Sequence, residues 1–330
     1  MAASQVDSQQ NGAAHQHLRQ RRTSTTATAT EAIVHAVKTL EKKAESTLLL
    51  LWDDLPAWRR DNAFILSGYR SATRGSYAHA LRSLFYLHNE SVNIWSHLVG
   101  ALVAASAAAY LYCALRPRYA SASPADLAVF SCFFGGAVLC LGMSATFHAL
   151  MDHSEEVARW GNKLDYTGIV ALIMGSYVPA LYYGFFCQPA LLTVYLSVIS
   201  LLGAGCAVVS WIETFRTPAW RPYRAAMFIG LGLSGVIPVV HAITVHGYQV
   251  VEDRMSISWV IAHGAMYIFG AVLYAVRWPE RSFPGAFDIW GSSHQIFHFC
   301  VLLAAATHFC GMIKAFDHHH TVMGSQCPIE

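Results

Sequence analysis

Seven stretches of this chain, 94–115, 127–150, 166–186, 190–212, 225–245, 257–276 and 294–313, are dominated by apolar residues and contain no Asp, Glu, Lys or Arg. Each has about the 20 residues needed to cross a hydrocarbon core. Inside lipid no water is present to satisfy the backbone, so a segment of this length must bond internally as a helix. Charge or Pro marks the boundaries, as in Arg116-Pro117-Arg118, Pro189, Arg221-Pro222 and Trp278-Pro279-Glu280. Only 13% of the residues are charged, where a soluble domain carries about a quarter. The expected fold class is therefore all-α, an integral membrane bundle of seven transmembrane helices.

Basic residues predict its direction. Of the 22 Lys and Arg, 18 fall in the N-terminal segment and in the loops after spans two, four and six. Only 4 fall in the other loops and the C-terminal tail. The positive-inside rule then puts the N-terminus in the cytoplasm and the C-terminus outside or in a lumen, at the plasma membrane or the endoplasmic reticulum. No signal-peptide pattern precedes the first span. Residues 1–30 carry too little apolar content to form a core and are expected to be disordered. Residues 31–93 are expected to form short helices at the cytoplasmic face, with 79–90 as an interfacial amphipathic helix. The seven-helix domain is placed at 94–315, and 316–330 as a solvated tail containing His318-His319-His320. The net charge of +2 comes with no basic stripe, which sets nucleic acid aside. Of eight cysteines, six lie in apolar spans, where Cys behaves as a small hydrophobe. Only Cys187 and Cys327 sit where they could meet, and loop context alone argues against counting them as a disulfide.

The chemistry lies in the histidines. His294 and His298 are one helical turn apart, so both imidazoles occupy one face of span seven. Packing pairs share this spacing, so the motif alone leaves a metal site and a structural pair equally open. Direction adds a test. Span two ends inside, with Ser144 and His148 near its end, and spans three and seven begin inside, with Asp165 and with His294 and His298. All these groups share one depth, and ionisable groups at membrane depth usually face the bundle interior. Three His with an open fourth position is the usual make-up of a catalytic zinc centre. His97, His241, His263 and His308 are single residues on apolar helices and read as hydrogen-bonding core groups. Pro179 and Pro238 are expected to kink spans three and five and open a cavity.

Several motifs in order resemble the progestin and adipoQ receptor family, which includes haemolysin III-type and fungal Izh proteins. They are Leu55-Pro56-Ala57-Trp58, Asp61-Asn62, Ile65 to Arg70, His88 to His97, Ser144 to His148, Lys163 to Ile169 and His294 to His298. The resemblance covers roughly 52–315 and has the character of a fungal, adiponectin receptor-like member. It implies zinc held by His148, His294 and His298, with Asp165 on a zinc-bound water, Ser144 beside it, and the Glu90 and Asn93 region anchoring the cytoplasmic end. It further implies a role in lipid or sterol metabolism and zinc homeostasis. The leading expectation is a zinc-dependent amide hydrolase of the ceramidase type, with Asp165 as general base and a ceramide-like membrane lipid as substrate. The rival is a receptor with structural zinc and no turnover, answering an extracellular protein ligand; a homo-oligomer is compatible with both. A metal channel fits less well, because no charged residue lies within the spans.

Overall fold

The structure, a computed structural model, describes residues 49–71, 75–118, 122–324 and 326–327. The tail expected at 1–30 and the helical periodicity around Ile33 to Leu40 lie outside them. Seven helices among the described residues are long and apolar enough to span a membrane. They are α1 (Ser91–Arg118), α2 (Pro124–Leu150), α3 (Glu155–Gly184), α4 (Pro189–Trp211), α5 (Pro218–His246), α6 (Ile257–Val276) and α7 (Ser293–Thr321). The protein is a multi-pass integral membrane protein.

The most buried helices are α2 and α3. Half of the apolar window of each is buried, against 6% for α6, so the bundle is built around the α2–α3 pair. A glycine stripe brings the two together. Gly168 and Gly175 are seven residues apart on α3, and a Cβ on either would fall 2.8 Å from Cys140 Cα or 2.4 Å from Cys132 O on α2. Small residues allow membrane helices to approach to backbone contact. The antiparallel register that results places Asp165 of α3 beside Ser144 and His148 of α2.

α5 is broken rather than gently kinked. One helix covers Arg221–Leu233 and the next Val236–His246, with Pro238 in the first turn of the second. Proline supplies no N–H for the carbonyl four residues back, here that of Ser234, at the break itself. Tyr177 of α3 enters this gap. Its hydroxyl donates to the Leu231 carbonyl at 3.2 Å and accepts from Gly235 N–H at 2.8 Å, replacing the lost ladder. By contrast α3 runs through Pro179 as one helix.

Three further expectations are corrected. The helix expected over 79–90 is shorter: an α-helix covers Tyr77–Arg82, a single 3-10 turn follows at Ser83–Phe85, and Tyr86 is extended. Its apolar side is open, with Leu81, Phe85 and Leu87 exposed. The His318-His319-His320 run is not a solvated tail. α7 continues through Thr321, and at 29 residues it is about 44 Å long, more than the ~30 Å of hydrocarbon. His319 and His320 are buried there; His319 packs on Phe186, and His320 lies 3.2 Å from the Asp126 carboxylate. Asp126 also accepts from Tyr183 at 2.9 Å and from Ser123 at the start of α2. Finally, Cys187 and Cys327 do form a disulfide, across a Cα separation of 5.5 Å. The helical extension of α7 carries Cys327 back to the loop after α3, which loop context in the sequence could not reveal.

Candidate metal centre

At the opposite pole from the disulfide, three imidazoles meet. His148 is in the last turn of α2, and His294 and His298 are in the first two turns of α7. One ring nitrogen from each lies within 4.8 Å of the others. The rings stand nearly perpendicular, with centroids 4.9 to 5.0 Å apart. His148 and His298 are buried and His294 is half-buried.

Local structure explains why each histidine sits where it does. Arg70, which is 1% exposed, caps the C-terminus of α2. It donates to the main-chain carbonyls of His148 at 2.7 Å and Ala149 at 3.0 Å. Those carbonyls have no intrahelical partner, and a cation there also complements the helix dipole. Asp152 balances this charge, with Arg70 at 2.5 Å and Arg59 on its other oxygen. Glu280, fully buried, caps the N-terminus of α7 by accepting from Ser293 N–H at 2.8 Å and from Ser293 Oγ and Asn62. Gln295, between the two α7 ligands, donates to Asn89 O and Ile289 O. Both ligand-bearing helix ends are thus pinned by side chains of the 51–90 segment and of the loop before α7.

The imidazoles are aimed as ligands. His148 Nδ1 donates to Glu90 Oε2 at 2.7 Å, and His298 Nδ1 donates to Asn93 O at 3.2 Å. A proton held on Nδ1 leaves the Nε2 lone pair free, the orientation that a carboxylate or carbonyl behind a metal-bound His enforces. His148 Nε2 is buried with no hydrogen-bond partner among the described residues. An unsatisfied buried acceptor is costly, and a cation shared with the other two rings satisfies it. The donor set therefore fits a metal ion. Glu90 also accepts from Asn93 Nδ2 at 2.7 Å. Burial opposes its charge, but the adjacent His148 and Asn93 outweigh burial and hold its carboxyl well below the usual carboxylate range.

Asp165 and Ser144 stand next to this cluster. Both are buried, and they interact across the α2–α3 contact. With the three histidines they line one cavity of about 1150 Å³, which runs on between α3, α5 and α6 over mainly apolar side chains. All five residues singled out in the sequence thus come together. Two contributors were misread. Glu90 is not only an anchor at the end of the bundle but the partner that orients His148. His97 is not an isolated core group: its ring stacks on His298 at 3.6 Å. For Glu90 the signal was its depth, one residue before α1 and level with His148.

The fold and site define a class: a seven-helix membrane protein with a buried three-histidine cluster at one end of a large intramembrane cavity. The chain belongs to the haemolysin-III related family, whose model matches residues 85–309. It is 42% identical over 283 residues to the ADIPOR-like receptor IZH2 of Saccharomyces cerevisiae, covering 85% of this chain and 89% of that protein. It is 46% identical over 281 residues to the adiponectin receptor protein of Drosophila melanogaster, covering 84% of this chain and 62% of the fly protein, which is thus considerably longer. It is also 32% identical over 335 residues to heptahelical transmembrane protein 4 of Arabidopsis thaliana, covering 79% of this chain and 86% of the plant protein.

Proposed function

We propose that this chain is a zinc-dependent hydrolase of lipid amides, of the ceramidase type, inserted with its N-terminus in the cytoplasm. One observation carries the reading: the three-histidine cluster, Asp165 and Ser144 open on a single long apolar cavity of about 1150 Å³. A purely structural metal would need the three histidines but not the cavity, nor a buried carboxylate beside it. His148, His294 and His298 would hold the ion. Bound there, zinc would lower the pKa of a water to about 7 and polarise a scissile carbonyl. Asp165 takes the proton of the attacking water and returns it to the amide nitrogen as the C–N bond breaks. Ser144 orients that water or donates to the developing oxyanion. The products are a fatty acid and a sphingoid base, and the apolar cavity holds the acyl chain. The proposed orientation rests on the 18 to 4 distribution of basic residues. The disulfide agrees with it, because such bonds persist in oxidising compartments and lie here at the pole away from the metal centre.

The test compares wild-type and Asp165→Asn protein, purified in detergent. Equal zinc content with ceramide hydrolysis lost from the variant is the expected result. Turnover that survives Asp165→Asn would remove Asp165 as the base and sink the mechanism. A second reading, a receptor in which zinc clamps α2 to α7, is favoured by the names of the relatives, two of which are called receptors. It requires zinc-loaded wild-type protein that hydrolyses no lipid amide, together with His148→Ala protein that melts at lower temperature.

A further inference from the structure

The cavity has a second polar station that the proposed chemistry does not use. His263 on α6, Tyr267 one turn further along α6, and His308 on α7 all line it. The His263 ring stands edge-on to His308 at 4.6 Å and to Tyr267 at 6.0 Å. His308 is 4% exposed, and its Nε2 has no hydrogen-bond partner among the described residues; neither has the Tyr267 hydroxyl. Two orphaned polar atoms in a mainly apolar cavity are a liability, since each costs free energy unless something bonds to it. The sequence reading of His263 and His308 as satisfied core groups holds only for one ring nitrogen. His263 Nδ1 donates to Trp259 O at 3.0 Å, which leaves its Nε2 as an acceptor. The station thus offers an acceptor on His263, a donor and acceptor on Tyr267 O–H, and the open nitrogen of His308.

We infer that this cluster is a binding subsite for a hydroxyl group carried on the aliphatic chain of the lipid in the cavity. A hydroxyl both donates and accepts, so it can answer the His263 acceptor and the Tyr267 donor together. A carbonyl can only accept, and a bare chain answers neither. Position sets which hydroxyl is read. His308 follows His298 by ten residues on α7, about 15 Å along the helix axis. An extended chain advances about 1.2 Å per bond, so that distance is about a dozen bonds. A lipid whose polar head sits at the three-histidine cluster therefore presents the region about a dozen bonds along an eighteen-carbon chain, roughly two-thirds of its length, to the station. This step rests on the lipid-binding reading of the cavity, but not on hydrolysis.

Purified zinc-loaded protein in detergent tests it by competition against radiolabelled stearic acid. Unlabelled 12-hydroxystearic acid is expected to displace the label at about tenfold lower concentration than stearic acid. 2-Hydroxystearic acid, with its hydroxyl at the head, should show no such advantage. Tyr267→Phe removes only the hydroxyl and His308→Leu only the imidazole; each should abolish the 12-hydroxy preference while leaving stearic acid binding in place. Equal displacement by the two acids in wild-type protein overturns the inference. So does a preference that survives both substitutions, the result expected of a station filled by a buried water. Absence of any saturable stearic acid binding overturns it as well. Because the readout is binding, loss of turnover with the preference intact would sink the hydrolase reading alone, and the converse would sink this one alone.

Discussion

His148 shows how much of a candidate metal site lies behind the side chain that would bind the ion. Its Nε2 is useful only because Nδ1 is committed to Glu90, and its main chain is fixed because Arg70 holds its carbonyl. Glu90→Gln keeps the size and a hydrogen-bond acceptor but loses the charge that makes the imidazole a better ligand. Zinc affinity of this variant should fall by about 10- to 100-fold, read as retention of metal against a graded chelator; unchanged retention would reduce Glu90 to a packing residue. His88, beside this network, gives a pH prediction. Burial, aided by Arg70, pushes its pKa down from 6.5 to about 3. The folded protein therefore keeps His88 neutral while the unfolded chain takes up a proton below 6.5. Its contribution is fully present above that pH and is lost as pH falls from 6.5 towards 3. Metal-free His88→Gln protein should accordingly lose less melting temperature between pH 7 and pH 4 than metal-free wild type does.

At the scale of elements, the α2–α3 contact decides whether Asp165 can reach the histidines. A methyl at Gly168 would fall 2.8 Å from the Cys140 backbone, which has no flexible end to move aside. Gly142 on α2 has nothing within 4 Å of the same added carbon. Gly168→Ala should thus destabilise the bundle by about 1–3 kcal/mol and impair the proposed hydrolysis, whereas Gly142→Ala should leave both near wild type. Thermal melts and turnover of the two variants side by side decide this; equal behaviour would mean that the close approach is not required. The contrast also marks where the sequence was legible. Absence of charge gave all seven spans, because lipid tolerates few exceptions, and helix 257–276 coincides with α6. The helix ends were less clear, since α7 gains eight residues from contacts with Phe186, Tyr183 and Asp126 that are remote in the chain. The glycines of α3 were visible but uninterpreted, as a seven-residue spacing acquires meaning only when the facing helix is known. The site residues were legible because direction places them at one depth, a one-dimensional property. What surrounds them, Arg70, Glu280 and His97, depends on three-dimensional contacts between segments far apart in sequence.

For the whole molecule, the two poles differ in kind. The pole with the candidate metal centre is built from ion pairs and caps, Arg59 and Arg70 on Asp152, Arg221 and Arg277 on Asp61, and Glu280 on α7. The other pole is held by the Cys187–Cys327 disulfide and by aromatic and histidine packing around Asp126. A cytosolic environment keeps thiols reduced and favours basic segments on its side of the membrane. Each pole therefore suits one compartment, and the two arguments are independent: one counts Lys and Arg along the sequence, the other needs the folded position of two cysteines. Together they predict that in sealed microsomes an added protease removes a tag fused before Met1 while sparing one fused after Glu330. Non-reducing gels of the same membranes should show Cys187→Ser protein running more slowly than wild type, because opening a loop 140 residues long expands the denatured chain. A protected N-terminal tag with a digested C-terminal one would reverse the orientation. The metal centre would then face the outside or the lumen, and the disulfide would have to survive in the cytosol, against the redox balance of that compartment.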